Sequence, residues 1–231
     1  MPVSSAAQAE SLRFDPDGAQ RWSGAAGAET LRRLEDALRE QPTGRAGVRL
    51  FGVAALRRLL EPSGTVGAVA ASILGPRCRP VRAILFDKTP TANWALGWHQ
   101  DRVIAVARRI EVEGFGPWTR KHGGLHVAPP FDVLARMLTL RIHLDDVPGT
   151  NAPLLVAPGS HRLGRIPEAN VRDVVRRSGV ASCTAVAGDI WLYATPILHA
   201  SDAATDAGRR RVLQADYAAD DLPGGLQWLG V

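Results

Sequence analysis

Lysine is nearly missing from this 231-residue chain: only Lys88 and Lys121 occur, so almost all of its basic charge is arginine. Those arginines are scattered as pairs, Arg32/Arg33, Arg57/Arg58, Arg108/Arg109 and Arg176/Arg177, mostly interleaved with Glu and Asp. A nucleic-acid binder concentrates such charge along one stripe, often with aromatics. No segment here does so, and a nucleic-acid partner is not expected despite a net charge of +5 and a pI near 10. An anionic substrate is compatible with the excess. Cysteine is almost as rare. Cys78 and Cys183 stand alone, in neither a CxxC spacing nor a disulfide framework, and are expected to be buried thiols in a reducing, cytoplasmic setting. No run of 18 apolar residues occurs, so no membrane span is expected, and the first residues lack the order of a secretory signal. What is present, 45% hydrophobic and 22% charged residues, is the make-up of an ordinary globule. A chain of this length can bury roughly 70% of its unfolded surface in one core.

Residues 1–25 are rich in Ala, Ser, Gly and Asp without a sustained period, and are expected to form a loose arm. Residues 26–79 are predicted to be a helical lead-in, with helices over 29–40, 53–61 and 65–74. Leu31, Leu34 and Leu38 share one face of the first, and Thr30 can cap it. From residue 80 the texture changes to short apolar or alternating runs broken by Gly, Pro, Asn and Asp. Strands are predicted over 81–87, 103–112, 137–144, 154–157, 181–187, 190–195 and 211–218, interrupted by one helix over 167–178. Many short strands after a helical lead-in point to a mainly β fold, a closed or sandwiched core with helices packed outside. No internal repeat or low-complexity linker divides the chain, so one domain over 1–231 is expected.

The chemistry centres on Gly97-Trp98-His99-Gln100-Asp101. In extended chain, residues two apart point to the same face, so His99 and Asp101 can approach one metal together. An imidazole nitrogen with a carboxylate oxygen suits Fe(II), and one distant histidine completes a facial triad with three open positions. A bidentate 2-oxo acid takes two of these, and dioxygen the third. An HxD pair is weak on its own, and the chain has a second, His143-Leu144-Asp145. A jelly roll needs several strands between the pair and its distal ligand. Four or five predicted strands separate Asp101 from His199, against about three and a helix from Asp145; Asp145 also runs directly into a Pro-Gly turn.

For the distal ligand, His161 lies in a turn and His122 and His126 in a Gly-rich stretch, whereas His199 follows an apolar strand. Arg210 lies eleven residues beyond His199, at the start of the next predicted strand. A guanidinium there can grip the far carboxylate of 2-oxoglutarate with two parallel hydrogen bonds. The same offset from His161 reaches Arg172, inside a predicted helix.

Several segments now carry a resemblance: Lys88-Thr89-Pro90 through Asn93-Trp94 to Trp98-His99-Gln100-Asp101; Leu144-Asp145-Asp146; Pro158-Gly159-Ser160-His161-Arg162; and His199-Ala200-Ser201 leading to Arg210-Arg211. In this order the chain resembles the phytanoyl-CoA dioxygenase family of iron- and 2-oxoglutarate-dependent oxygenases over residues 80–218. The resemblance implies a double-stranded β-helix, a jelly-roll variant, with iron on His99, Asp101 and His199. It also implies that Arg210 and Ser201 hold the C5 carboxylate of 2-oxoglutarate, and that Thr139 or Arg141 assists if the polar side of 138–144 faces inward. Related halogenases carry a small residue in place of the carboxylate ligand. Asp101 is present, which favours hydroxylation.

The substrate is expected to be a small molecule, with Trp98, Trp118 and His126 lining its entrance, because 114–130 has the Gly/Pro punctuation of a specificity loop. Two other readings carry their own signatures. A nucleic-acid demethylase on a similar barrel would bind DNA or RNA in a salt-sensitive way; a non-catalytic barrel would fail to couple 2-oxoglutarate turnover to a product.

Overall fold

The computed structural model describes residues 9–231 apart from His122 and Ala207. After a helical turn at Phe14–Asp17 come strand β1 (Ala19–Trp22), helix α1 (Ala28–Leu38), β2 (Val48–Leu50), α2 (Ala54–Leu60) and α3 (Gly67–Leu74). The β-rich part follows: β3 (Arg79–Lys88), β4 (Leu96–His99), β5 (Ile104–Val106), β6 (Trp118–Lys121), β7 (Gly124–Val127), the short helix α4 (Phe131–Ala135), β8 (Leu138–His143) and β9 (Leu154–Val156). Helix α5 (Val171–Ser178), β10 (Ala181–Cys183), β11 (Ile190–Ala194), β12 (His199–Ser201) and β13 (Arg210–Ala218) complete the chain.

The strands form a six-stranded sheet in the order β1-β11-β8-β13-β3-β2, a four-stranded sheet in the order β10-β9-β12-β4, and a three-stranded sheet β5-β7-β6. Every described pairing within them is antiparallel. This is the jelly-roll layout expected from the sequence, as a sandwich of separate sheets rather than a closed barrel: β1 and β2 remain edges of the large sheet.

Alternation along the large sheet gives it two different faces. Leu138, Leu140, Ile142, Leu213, Ala215, Ala83 and Leu85 belong to one cluster with Leu34, Leu56, Leu59 and Leu60 of the lead-in helices. Each such leucine contributes about 1.5–3 kcal/mol by leaving water. Trp191 and Tyr193, from the other face, pack with Leu154, Val156, Ala181 and Cys183 of the small sheet. The inner face also carries polar cross-strand rungs. Thr139, Asp216 and Arg82 stand side by side, then Arg141, Gln214, Ile84 and Arg49, and at the far end Arg210 beside Lys88.

Several expectations change. Residues 19–22 are not a loose arm: they pair with β11, where Gln20↔Leu192 and Arg21↔Trp191 satisfy a sheet edge that local composition does not announce. Residues 1–8 of that arm lie outside the described residues. β2 interrupts the helical lead-in by pairing with β3. The predicted strand 103–112 is only Ile104–Val106, because Ala107 already donates to Gln227 O. Residues 114–130 contain the β6–β7 hairpin rather than one open loop. Helix 167–178 begins as a 3-10 turn, Glu168–Asn170, before α5. Thr30 lies inside α1 and meets the Thr65 hydroxyl at 3.2 Å, while Gly27 occupies the cap position.

Candidate metal centre

β4 and β12 run antiparallel with His99 directly opposite His199, so their rings meet with centroids 4.2 Å apart. Asp101, two residues beyond His99, keeps to the same side. Ligand atoms of His99, Asp101 and His199 all lie within 4.8 Å of one another, the one such His/Cys/Asp/Glu group among the described residues. Two imidazole nitrogens and one carboxylate oxygen on one side of a site are the donor set of a facial triad, and they fit iron.

The tautomers follow from the backbone. Nδ1 of His99 is 2.8 Å from Gly97 O, and Nδ1 of His199 is 3.0 Å from Ile197 O. A carbonyl can only accept, so each Nδ1 carries the hydrogen and each Nε2 keeps a free lone pair. Burial, helped by the neighbouring His99, pushes His199 down to about 4, which leaves the ring unprotonated at neutral pH. Burial opposes the Asp101 charge, but the Arg82 guanidinium beside it, the largest favourable influence, holds this carboxyl below its ordinary range. Arg82 Nη2 lies 3.3 Å from Asp101 Oδ2 and its Nε donates to Asp216.

Gln100, between the two ligands in sequence, faces the other way and uses its whole amide. Nε2 donates to Pro196 O at 2.8 Å and Gly164 O at 3.0 Å, and Oε1 accepts from Ile166 N at 2.9 Å. The segment ahead of His199 is thereby fastened to the segment carrying His99. Ser160, in the Pro158-Gly159-Ser160 turn, reinforces it by accepting from Leu198 N at 2.9 Å.

The triad opens on a cavity of about 880 Å³ whose walls include Phe86, Trp94, Trp98, Arg141, Ser201 and Arg210. Arg210 is 2% exposed; it donates to Ala152 O, and its Nε has no partner. Burial and the nearby Arg141 push it down to about 9. Arg141 donates to Gln214 at 3.3 Å, stacks over Phe86 at 5.2 Å, and likewise has an unpartnered Nε. Lys88 completes the group. Its Nζ donates to Asp202 O at 2.8 Å and lies 5.0 Å from the Trp94 ring, and burial with Arg210 and Arg141 pushes it down to about 8. No carboxylate among the described residues pairs with Lys88, Arg141 or Arg210. Two arginines in one cavity wall, Arg141 and Arg210, neither paired with a carboxylate among the described residues, are arranged for an anion.

The remaining sequence candidates are dispersed. Thr139 faces inward as the alternation predicts, but its hydroxyl is engaged with Thr195 and Asp216, each at 3.1 Å, and it does not line the cavity. Trp98 lines the cavity; Trp118 donates to Glu111 at 3.2 Å in the three-stranded sheet, away from it. His126 is buried with Nδ1 3.1 Å from Gly124 O and is also outside the lining. Of the rivals, Asp145 is bound by Arg211 on the helical side and His143 is buried behind the cavity. His161 packs against Gly18, and His122 lies outside the described residues. Sequence reasoning missed Arg82 and Gln100. Arg82 left a trace as a lone cation in an apolar strand, and Gln100 as the polar residue enclosed by the ligand pair.

No curated protein matches the sequence. Solved structures do match in fold. EctD from S. alaskensis, with 2-oxoglutarate and 5-hydroxyectoine, has a TM-score of 0.67 at 19% identity, covering 100% of this chain and 80% of that one. HygX from Streptomyces hygroscopicus, with nickel, 2-oxoglutarate and hygromycin B bound, has a TM-score of 0.60 at 15% identity, covering 89% and 84%. SnoN, a non-heme alpha-ketoglutarate-dependent epimerase from nogalamycin biosynthesis, has a TM-score of 0.62 at 17% identity, covering 96% and 91%. Residues 15–212 match the phytanoyl-CoA dioxygenase family. With that match running through both the lead-in and the sheets that carry the triad, the chain belongs to the phytanoyl-CoA dioxygenase family of iron- and 2-oxoglutarate-dependent oxygenases.

Proposed function

We propose that this oxygenase hydroxylates a C–H bond of a small molecule, with His99, Asp101 and His199 as the iron ligands. Arg210, with Ser201 and Arg141 beside it, receives the distal carboxylate of 2-oxoglutarate. One observation carries the reading: three ligand atoms within 4.8 Å of one another open on the same cavity as an unpaired, buried Arg210. When bound, iron(II) with 2-oxoglutarate and dioxygen supplies the oxidising power that turns C–H into C–OH, releasing succinate and carbon dioxide. The chain's own residues do the rest. The Nδ1–H bonds to Gly97 and Ile197 keep both Nε2 lone pairs on the metal side. Arg82 keeps Asp101 ionised and aimed. Trp94 and Trp98 provide apolar wall that excludes water from the reacting centre.

A volume of about 880 Å³ is that of a small-molecule site. HygX and EctD are themselves recorded with small molecules bound. SnoN, an epimerase, is similar in fold, so fold does not choose the reaction; Asp101 in the carboxylate position favours hydroxylation over halogenation. The test is an anaerobic titration with iron(II) and 2-oxoglutarate. A weak visible charge-transfer band should form and should be lost in Asp101→Ala and His199→Ala. Succinate release matched by a product heavier by one oxygen would follow in air. A band that survives both substitutions defeats the triad, and substrate-coupled succinate without oxygen gain defeats hydroxylation.

A further inference from the structure

We propose that the substrate carries an anionic group, a carboxylate or a phosphate, which docks on Arg49 and Lys121 beside the metal triad. The proposal rests on the function argued above and names the substrate class of the same cavity. It starts from register. Arg49 on edge strand β2 is paired with Ile84, and residues paired across an antiparallel sheet share a face. That face is the inner one, so Arg49 lies in the cavity wall with Ile84 and Arg82. Its Nε is buried without a partner, and no ion pair or hydrogen bond engages its guanidinium among the described residues. Lys121, at the end of β6, reaches the same cavity from the three-stranded sheet and is likewise unpaired among the described residues.

Arg49 and Lys121 come from other elements than the group assigned to 2-oxoglutarate. Arg210 lies opposite Lys88, and Arg49, opposite Ile84, is four residues along β3 from that pair, roughly 13 Å of strand; Arg141, on the same rung as Arg49, is separated from it by β13 and β3. Arg49 faces Ile84, two residues from Arg82 on the same side of β3, and Lys121 lines the same cavity as Arg82 and Asp101. The acids in the lining are already engaged. Asp101 is bound to Arg82 and needed for metal, and Glu168 faces Arg102 at 3.6 Å. The same wall also offers apolar surface, with Ile84, Phe86, Leu96 and Trp98. The complementary molecule is therefore an acid with an apolar body, its charge held at one end so that a C–H bond lies over the metal.

The probes are hexanoate, hexyl phosphate and neutral hexanamide, titrated calorimetrically into the anaerobic protein loaded with iron(II) and 2-oxoglutarate. At least one anion should bind about tenfold or more tightly than the amide, as expected of a charge-assisted contact. Comparing the two anions tells carboxylate from phosphate. The preference should fall to within about twofold in Arg49→Gln/Lys121→Gln and in part in Lys121→Gln alone, an exposed change that leaves the core intact. Arg49→Lys should retain most of it. Equal binding of all three probes, no anion binding at millimolar concentration, or a preference unchanged in the double variant would overturn the proposal. So would anions that bind only by displacing 2-oxoglutarate, seen as loss of the visible band. If the band never forms, the iron reading fails instead, and the calorimetric preference is still measurable on the same protein.

Discussion

Arg82 donates from Nη2 to Oδ2 of Asp101 across 3.3 Å, while its Nε holds Asp216 of β13 from behind. One guanidinium thus joins Asp101, a proposed metal ligand on the loop after β4, to the large sheet. Asp216 is 2% exposed on its side chain and Arg82 10%, so neither charge could be tolerated there alone. Burial works against the Arg82 charge, and Asp216 with Asp101 more than offsets it. The arrangement separates structural from functional roles in a measurable way.

Arg82→Gln should lower unfolding free energy by about 3–5 kcal/mol, because it strands a buried carboxylate. Adding Asp216→Asn should recover much of that loss. Metal affinity should not recover with it. Manganese(II) titration of the double variant should remain about 10–100-fold weaker, since Asp101 has lost the group that orients it. If affinity returns together with stability, Arg82 has no orienting role.

Gln100→Leu keeps the volume and removes the amide. Pro196 O, Gly164 O and Ile166 N then lose their partner. A cost of about 2–4 kcal/mol is expected for backbone groups left unsatisfied in the interior. Because Pro196 precedes His199 by three residues, the histidine ligand should loosen as well. Denaturant unfolding and metal titration would check the two effects, and a stability loss with unchanged metal affinity would confine Gln100 to the fold.

That His99 and Asp101 come together was legible because period-two spacing is a local property: the two share a face whatever they pack against. The place of Arg210 at the start of the last strand was legible from a hairpin-length offset to His199. Neither edge strand could be read this way. Ala19–Trp22 is four residues long, and its partner β11 lies about 170 residues away, so nothing local distinguishes it from a loop. β2 is shorter still and sits among helices. Arg82 and Arg49 escaped for the same reason. Residues 81–87 are apolar on both faces, and only the register of β3 against β13 and β2 shows that Arg82 and Arg49 turn toward the site. Gln100 needed three backbone partners from two distant segments before its role could be seen.

Acid should weaken the metal-free protein well above the carboxylate range. Burial is the largest cause lowering His126, His143, His161 and His199 from the ordinary 6.5, His199 to about 4. Between those values the unfolded chain binds protons that the folded chain refuses, so stability falls as pH falls. It is complete above pH 6.5 and is lost on the way to the folded values, by up to about 1.4 kcal/mol per pH unit per histidine. His143, with both ring nitrogens buried and unpartnered, isolates one share. His143→Leu should flatten the decline of denaturant midpoint between pH 7 and 5, and an unchanged slope would show that His143 takes up protons equally in the folded and unfolded chains.

Arg210 sets stability against binding. Its guanidinium is buried, its Nε is unpartnered, and burial with Arg141 nearby pushes it down to about 9. A cation in that state destabilises the protein until an anion arrives. Arg210→Met preserves the aliphatic stem and removes the charge, so the metal-free protein should unfold at an equal or higher denaturant concentration than the parent. The dissociation constant for 2-oxoglutarate should rise by about 10–150-fold, matching the roughly 1.5–3 kcal/mol of a charge-assisted hydrogen bond. Arg210→Lys should recover only part, because a point charge cannot reproduce the paired donors of a guanidinium. The two measurements must move in opposite directions. A variant that loses stability and affinity together would mean that Arg210 holds Ala152 and the β13 entry in place, and the anion site would then have to be assigned to Arg141 and Lys88.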